Sequence, residues 1–152
     1  MEVKYINPFI ESTYHVLETM AKTTAEGGDP YIKKDTMARG VVSAVMELTG
    51  DVSGTISISF EEACILKIVS NLFNEEVEMN EEIKDTVGEI CNIITGQARQ
   101  KLTEVGLNIQ AGIPQLIMGK DHSINHFSDD RIIGIPFTCA GSSFTIEVCV
   151  EE

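Results

Sequence analysis

The segment from residue 80 to residue 104 combines residue types and a spacing that can support chemistry. Asp85, Glu89 and Asn92 are spaced four and then three residues apart. On a helix, this spacing places two carboxylates and a carboxamide on one face, along roughly 10 Å of the axis. Carboxylates accept charge-assisted hydrogen bonds and a carboxamide both donates and accepts, so such a row can hold a charged group or orient a water molecule. Gly96 continues the row and leaves space for a close approach, at a cost of about 1 kcal/mol relative to alanine.

The opposite face of the same helix carries the residues that a core would bury. They recur on a 3.6-residue repeat and form an apolar stripe of Ile83, Val87, Ile90, Ile94 and Ala98. The stripe predicts an amphipathic helix whose polar row, Asp85, Glu89, Asn92 and Gly96, faces outward. Solvation alone explains a polar outer face, so the polar row indicates a site only together with the rest of the chain.

The spacing Asp85-x3-Glu89-x2-Asn92, with Pro114 a little over twenty residues later, resembles the motif of the CheC, CheX and FliY family of bacterial chemotaxis phosphatases. Other segments are similar to CheX members in particular. They are residues 7–11, 48–54, 119–124, 135–137 and 144–149. Because these blocks occur in order over nearly the whole chain, the resemblance is more specific than one short motif.

The resemblance implies a function for the polar row. The implied substrate is the phosphoaspartate of a CheY-like response regulator, which itself supplies the Mg²⁺ and a charge-neutralising lysine. Asn92 is implied to orient the attacking water, and Glu89 to pair with the regulator's lysine. Asp85 is either a contact at the rim of the interface or a solvated residue, and Gly96 would permit close docking. The alternative is a non-catalytic module that binds a phosphorylated regulator without hydrolysing it.

The implied fold is α+β, with pseudo-twofold duplicated units of a helix plus antiparallel strands and a sheet covered by long amphipathic helices. The predicted order of helix, strands, two helices and strands also indicates a duplication. In the first helix, Glu11 and Tyr14 stand at the spacing of Glu89 and Asn92, with a tyrosine in place of the carboxamide. We therefore expect a single working site, and structural roles for Glu11 and Tyr14.

Hydropathy patterns place the supporting helices. A helix is predicted over residues 7–24, ended by the segment 26–30. Its inward residues are Phe9, Thr13, Val16, Leu17 and Met20. A short amphipathic helix over residues 61–73 leads through an acidic linker, residues 74–78, into the long helix.

Hairpins are predicted over residues 40–60 and 133–150, with short strands at 108–112 and 115–118. One strand alternates apolar and hydroxyl residues: Ile56, Ile58 and Phe60 inward against Thr55, Ser57 and Ser59 outward. This alternation implies a sheet with one buried face. Pro136 cannot donate to a strand ladder, so its strand is expected to have an unpaired or bulged edge.

Composition narrows the function classes. With 152 residues and 43% hydrophobic content, the chain is expected to form a single domain over residues 1–152. Its 11 basic and 24 acidic residues give a net charge of −13, which argues against nucleic acid and anionic membranes as partners. No apolar run approaches the roughly 20 residues of a membrane span, and the N-terminus does not read as a signal peptide. We therefore expect a cytoplasmic protein.

The cysteines and histidines suggest no cofactor of the protein's own. The four cysteines are widely spaced and are interpreted as small core residues: Cys64, Cys91, Cys139 and Cys149. His15 is expected on the surface. His122 and His126, near Asp121, Asp129 and Asp130, could hold a metal, but a solvated polar loop is favoured. The family resemblance also implies a homodimer joined through sheet edges.

Overall fold

Three helices and eight strands make up the computed structural model, which describes residues 3–126 and 131–151. The helices are α1 (Val3–Met20), α2 (Glu62–Phe73) and α3 (Glu81–Glu104). The first four strands are β1 (Ala25–Gly27), β2 (Tyr31–Lys33), β3 (Val42–Gly50) and β4 (Ser53–Phe60). The last four are β5 (Ile109–Ala111), β6 (Gln115–Met118), β7 (Ile132–Cys139) and β8 (Ser142–Glu151).

The strands form one antiparallel sheet in the order β1-β7-β8-β4-β3-β5, with β2 also on β7 and β6 also on β3. The segments α1 to β4 and α3 to β8 therefore repeat one pattern of a helix, two short strands and a long hairpin. The long hairpins meet at β4 and β8, and the short strands of each half extend the hairpin of the other half. The predicted α+β fold with duplicated units is confirmed.

The hairpins span residues 42–60 and 132–151, within two residues of the predicted boundaries, and their side chains face as predicted. Ile133, Ile135 and Phe137 of β7 lie opposite Val148, Ile146 and Phe144 of β8. The edge beside Pro136 is bulged, as predicted. Between β1 and β2, residues 28–30 lie opposite only residues 135–136 of β7, and the Gly28 N–H donates to the Pro136 carbonyl at 2.7 Å.

The first helix differs from its prediction at both ends. It runs from Val3 to Met20 and contains Pro8, so the predicted range 7–24 is wrong. The helix ends early because Lys22 takes a left-handed conformation with φ of 47°, and residues 25–27 pair with β7 instead. Met20 was predicted to face inward, but at the helix end it is 40% exposed. The other four inward residues are buried as predicted.

The helices cover one face of the sheet, and the prediction of a single buried face is wrong. The hydroxyl residues Thr55, Ser57 and Ser59 are 9%, 0% and 0% exposed. Polar partners meet the Thr55 and Ser59 hydroxyls on the second face, whereas the buried Ser57 hydroxyl has no hydrogen-bond partner within the described chain. Ser43 lies 2.6 Å from the Ser59 hydroxyl and 2.7 Å from His122 Nε2. The alternation of apolar and hydroxyl residues predicted which way the side chains point. It could not predict which segments cover the hydroxyl side.

The prediction of a solvated loop is wrong for His126, whose side chain is 1% exposed. Both loop histidines bind the second face, so the loop that carries them is anchored there. His122 Nδ1 donates to the Gly119 carbonyl at 2.6 Å, and His126 Nδ1 lies 2.6 Å from the Thr55 hydroxyl. Asp129 and Asp130, which the metal hypothesis included, lie outside the described residues. Within the described ranges, no group of three or more His, Cys, Asp or Glu residues could hold a metal ion.

Two smaller predictions agree with the structure. All four cysteines are buried free thiols, and His15 is exposed. Among the helices of the described chain, none combines the length and apolarity needed to cross a membrane.

A buried charged cluster joins an edge strand, the loop and the centre of the second face. Lys33 Nζ donates to Glu147 Oε2 at 2.7 Å, and His126 Nε2 donates to Glu147 Oε1 at 2.8 Å. The three side chains are each at most 1% exposed. Burial alone would raise the pKa of Glu147, but the hydrogen bonds from His126 and Lys33 outweigh it and hold the pKa below its ordinary value.

The lowered pKa makes the contribution of this cluster depend on pH. A carboxyl group whose pKa is lower in the folded than in the unfolded state stabilises the fold at pH values above its unfolded pKa of about 4.3. That stabilisation is lost as the pH falls through the lower, folded-state value.

We expect Glu147→Gln to lower the free energy of unfolding by about 3 kcal/mol or more near neutral pH, because it leaves the Lys33 ammonium buried without a counter-charge. The difference from wild type should narrow as the pH falls below about 4.3, because protonation of the carboxyl group then favours the unfolded state. Urea denaturation of both proteins at about pH 7 and about pH 3 measures this. Glu151→Gln, an exposed change on the same strand, is the control, and an unaltered difference across pH would contradict the prediction.

Candidate functional site

The third helix is well defined at both ends. The Asn80 side chain accepts a hydrogen bond from the Ile83 N–H at 3.2 Å and caps the first turn. Glu81 and Glu82 follow in that turn, where acidic side chains favour the positive end of the helix dipole. The helix ends at Glu104, and Gly106 follows with a φ of 91°. A 24-residue helix is about 36 Å long.

The structure places the polar row on the outer face of α3, as predicted. Asp85, Glu89, Asn92 and Gly96 are all exposed. Every residue of the apolar stripe is at most 3% exposed. The row therefore presents two carboxylates, one carboxamide and bare backbone to solvent along one side of a buried support.

The two carboxylates of the row are not neutralised within the described part of the chain. Lys84, the nearest basic residue in sequence, pairs with Glu81 at 2.8 Å. No ion pair between described residues includes Asp85 or Glu89. Both carboxylates are therefore available to a cationic group on another molecule.

Close packing beneath the row holds α3 at a defined height above the sheet. A Cβ atom added at Gly88, which precedes Glu89, would lie 3.2 Å from both terminal methyl groups of Leu116 in β6. The Cys91 thiol and the Thr95 hydroxyl, on either side of Asn92, contact the Met46 sulfur at 3.3 and 3.4 Å. These contacts fix the rotation of the helix.

The sequence interpretation missed these supporting residues. The close packing at Gly88 could have been predicted from the sequence, because a glycine inside a helix and one residue from a candidate site usually marks a close contact. Nothing in the sequence indicated the supporting roles of Met46 and Leu116, because only the tertiary fold brings β3 and β6 beneath α3.

The cysteine beside the carboxamide is not a nucleophile. Burial raises the pKa of the Cys91 thiol to about 12, only partly offset by its hydrogen bond with Thr95. A thiol with this pKa stays protonated near neutral pH, and the thiolate is the reactive form. The row therefore offers hydrogen-bonding and charged groups without a reactive thiolate beside them.

The corresponding positions of α1 are engaged in contacts within the chain. The Tyr14 hydroxyl accepts a hydrogen bond from the Gly27 N–H at 2.8 Å, and its ring packs edge-on against Phe137 at 5.8 Å. Glu11 pairs with Lys101 of α3 at 3.2 Å. These contacts support the structural roles predicted for Glu11 and Tyr14.

Comparisons with known proteins agree on one family. The family model of chemotaxis phosphatase CheX matches residues 42–138. The CheY-P phosphatase CheX of Thermotoga maritima is 24% identical over 129 residues, covering 84% of this chain and 83% of that protein. The crystal structure of a CheC-like superfamily protein from Shewanella sp. PV-4 is 38% identical, with a TM-score of 0.93 and 100% coverage of both chains.

A solved complex is also similar. It is the CheX–CheY–BeF3–Mg²⁺ complex from Borrelia burgdorferi, in which the matched chain is 28% identical with a TM-score of 0.79. The match covers 99% of this chain and 100% of that one.

The two glycines of α3 should respond differently to alanine. Gly96→Ala adds a methyl group with nothing within 4 Å, so it should stabilise the protein by about 1 kcal/mol through helix propensity. Gly88→Ala pushes against Leu116, so overpacking of about 1–3 kcal/mol should cancel or exceed the same gain.

Urea denaturation of Gly88→Ala, Gly96→Ala and the double variant Gly88→Ala/Leu116→Val tests this packing. The smaller side chain at position 116 of the double variant should recover part of the stability lost at Gly88. Equal stabilisation by both single alanine variants would contradict the close packing of α3 on β6.

Proposed function

Because this chain belongs to the CheX family of chemotaxis phosphatases, we propose that it hydrolyses the phosphoaspartate of a CheY-like response regulator. The observation that carries the proposal is the outward-facing row of Asp85, Glu89 and Asn92 on a buried helical support. The family match includes this whole row. The Thermotoga relative is named a CheY-P phosphatase, and the Borrelia complex contains CheY.

The proposed reaction requires few groups from this chain. Water attacks phosphorus, the bond between phosphorus and the aspartyl oxygen breaks, and the products are inorganic phosphate and the free aspartate of the regulator. Phosphoryl transfer is accelerated mainly by positioning and by stabilisation of charge. The regulator provides the phosphoryl group, so this chain has to provide an ordered water.

Asn92 is the residue proposed to order that water. Its carboxamide oxygen can accept a hydrogen bond from the water, and its nitrogen can donate one to a phosphoryl oxygen. A carboxamide does not act as a strong base, and an orienting amide is sufficient in other phosphoryl-transfer enzymes. The contacts of Cys91 and Thr95 with Met46 would keep the backbone of residue 92 in one place during the reaction.

Glu89 is proposed to anchor the regulator. It lies three residues before Asn92, about one helical turn away, and has no ion-pair partner among the described residues. A carboxylate in this position can accept a charge-assisted hydrogen bond from the regulator's active-site lysine. That pairing would place the phosphoryl group over the carboxamide.

The flanking members of the row have lesser proposed roles. Asp85 lies one turn before Glu89 and is proposed as a contact at the rim of the interface. Gly96 lies one turn after Asn92, and the open space above it would let the regulator approach the helix backbone.

The proposed reaction takes its Mg²⁺ from the regulator. When bound there, the ion would neutralise charge on the phosphoryl oxygens. The Borrelia complex, which includes Mg²⁺, supports this assignment. A homodimer joined through sheet edges stays a prediction.

We expect Asn92→Ala to reduce phosphate release from a phosphorylated receiver domain by about 100-fold or more, because the attacking water loses its position. Affinity for the receiver should change little, because Glu89 remains. Single-turnover phosphate release and titration of receiver binding measure the two quantities. The receiver domains tested first should be those encoded in the same genome.

Asn125→Ala is the control for Asn92, because it removes another exposed amide from the loop on the second face of the sheet, away from α3. It should retain wild-type turnover. Full activity in Asn92→Ala would eliminate the proposed mechanism, and receiver binding without turnover in the wild type would instead indicate the non-catalytic module.

We expect Glu89→Gln to weaken receiver binding and turnover about tenfold each, because it removes a charge-assisted hydrogen bond worth roughly 1.5 kcal/mol while keeping the side-chain shape. A double-mutant cycle with the regulator's active-site lysine changed to alanine measures the pairing directly. Additive effects in that cycle would show that Glu89 has another partner.

A further inference from the structure

A groove opens at the corner between α2 and α3, beside the first turn of the site helix. It has a volume of about 260 Å³. We name it the α2–α3 groove, and its lining includes Phe73, Glu75, Glu76, Val77, Glu78 and Glu82. It therefore combines an apolar wall with a rim of carboxylates.

Phe73 is the apolar anchor of this groove. It is the last residue of α2, and its side chain remains 52% exposed. The chain turns immediately after it, because Asn74 takes a left-handed conformation with φ of 57° and its N–H donates to the Ser70 carbonyl. The half-exposed ring at the rim of the groove offers an apolar surface that a side chain of a partner can cover.

The charge of the groove selects its occupant. Glu75, Glu76, Glu78 and Glu82 are exposed, and no Lys, Arg or His residue lines the groove. No ion pair between described residues includes any of these four carboxylates. A lysine or arginine side chain complements both the apolar wall and the carboxylate rim. Its methylene stem can cover Phe73 while its cationic head reaches the carboxylates.

The groove is continuous with the polar row. Glu82 precedes Asp85 by three residues, and Asp85 precedes Glu89 by four, so all three lie on one face of α3. Residues 82 and 92 are separated by about 15 Å along the axis. A standard protein interface covers about 800 Å² per partner, or roughly 30 Å across, so a regulator centred on Asn92 would reach the groove at Glu82.

We propose that the α2–α3 groove is the specificity-determining part of the docking surface, and that it binds a basic side chain of the response regulator against Phe73. This inference depends on the proposed function for the identity of the partner. The polar row acts on groups shared by phosphorylated receivers, whereas the groove distinguishes receivers that carry a basic residue at this position.

The test uses the receiver domain that the wild-type protein dephosphorylates fastest. In Phe73→Ala and in the triple variant Glu75→Gln/Glu76→Gln/Glu78→Gln, the Kd and KM for that receiver should rise about tenfold, since each change removes roughly 1.4 kcal/mol of binding. The rate at saturating receiver should stay at the wild-type value. The triple variant should also show a weaker salt dependence of association.

Matched controls lie at the opposite end of α3. Val105→Ala removes another exposed apolar side chain, which is 67% exposed, and Glu104→Gln removes another exposed carboxylate. Both should leave Kd, KM and the saturated rate unchanged. Unchanged Kd and KM in Phe73→Ala, or an equal change in the controls, would overturn the proposal.

The experiments distinguish an error in the groove proposal from an error in the catalytic proposal. Full turnover in Asn92→Ala with weakened binding in Phe73→Ala would refute the proposed mechanism and retain the docking surface. Loss of turnover in Asn92→Ala with unchanged binding in Phe73→Ala would retain the proposed mechanism and refute the docking surface. A second receiver, bound weakly by the wild type, should lose little affinity in Phe73→Ala; an equal loss would overturn the specificity role.

Discussion

Burial of the apolar stripe of α3 is the constraint on which the site depends. Because 3.6 residues complete a turn, the rotation that buries Val87, Ile90 and Ile94 also turns Glu89 and Asn92 outward. Turning the helix by one residue, about 100°, would expose the stripe and bury carboxylates without partners. The hydrophobic effect therefore orients a polar site whose own side chains are exposed.

The duplicated fold gives two similar helical supports, but their outer faces differ. On α3, the backbone packs closely through Gly88, and the outward side chains are left for another molecule. On α1, the Tyr14 hydroxyl is bound to Gly27 of β1. The aromatic side chain thus joins the helix to the edge strand, a position that a short carboxamide could not reach in the same way. Duplication explains the scaffold, while local side-chain choice explains the single candidate site.

Local patterning predicted the site helix and both hairpins, because their periodicity and turns are encoded within a few residues. The end of α1 and the covering of the second sheet face were not predictable in this way. Residues 25–27 become a strand only through pairing with β7, and Lys33 meets Glu147 across 114 positions of sequence. Sequence periodicity also placed Asn92 on the correct face of α3, whereas the Met46 contacts beneath it depend on the tertiary fold.

The distribution of charge connects stability to recognition. The only carboxylate among the buried residues of the described chain is Glu147, and it is fully paired there. On the outer face of α3, Asp85 and Glu89 are exposed and form no ion pair with any residue that the structure describes, so they contribute little to folding. A net charge of −13 disfavours contact with another acidic surface, so a partner must place cations against these side chains. The groups that recognise the partner are therefore separate from those that stabilise the fold, and binding can be altered on α3 while the core stays intact.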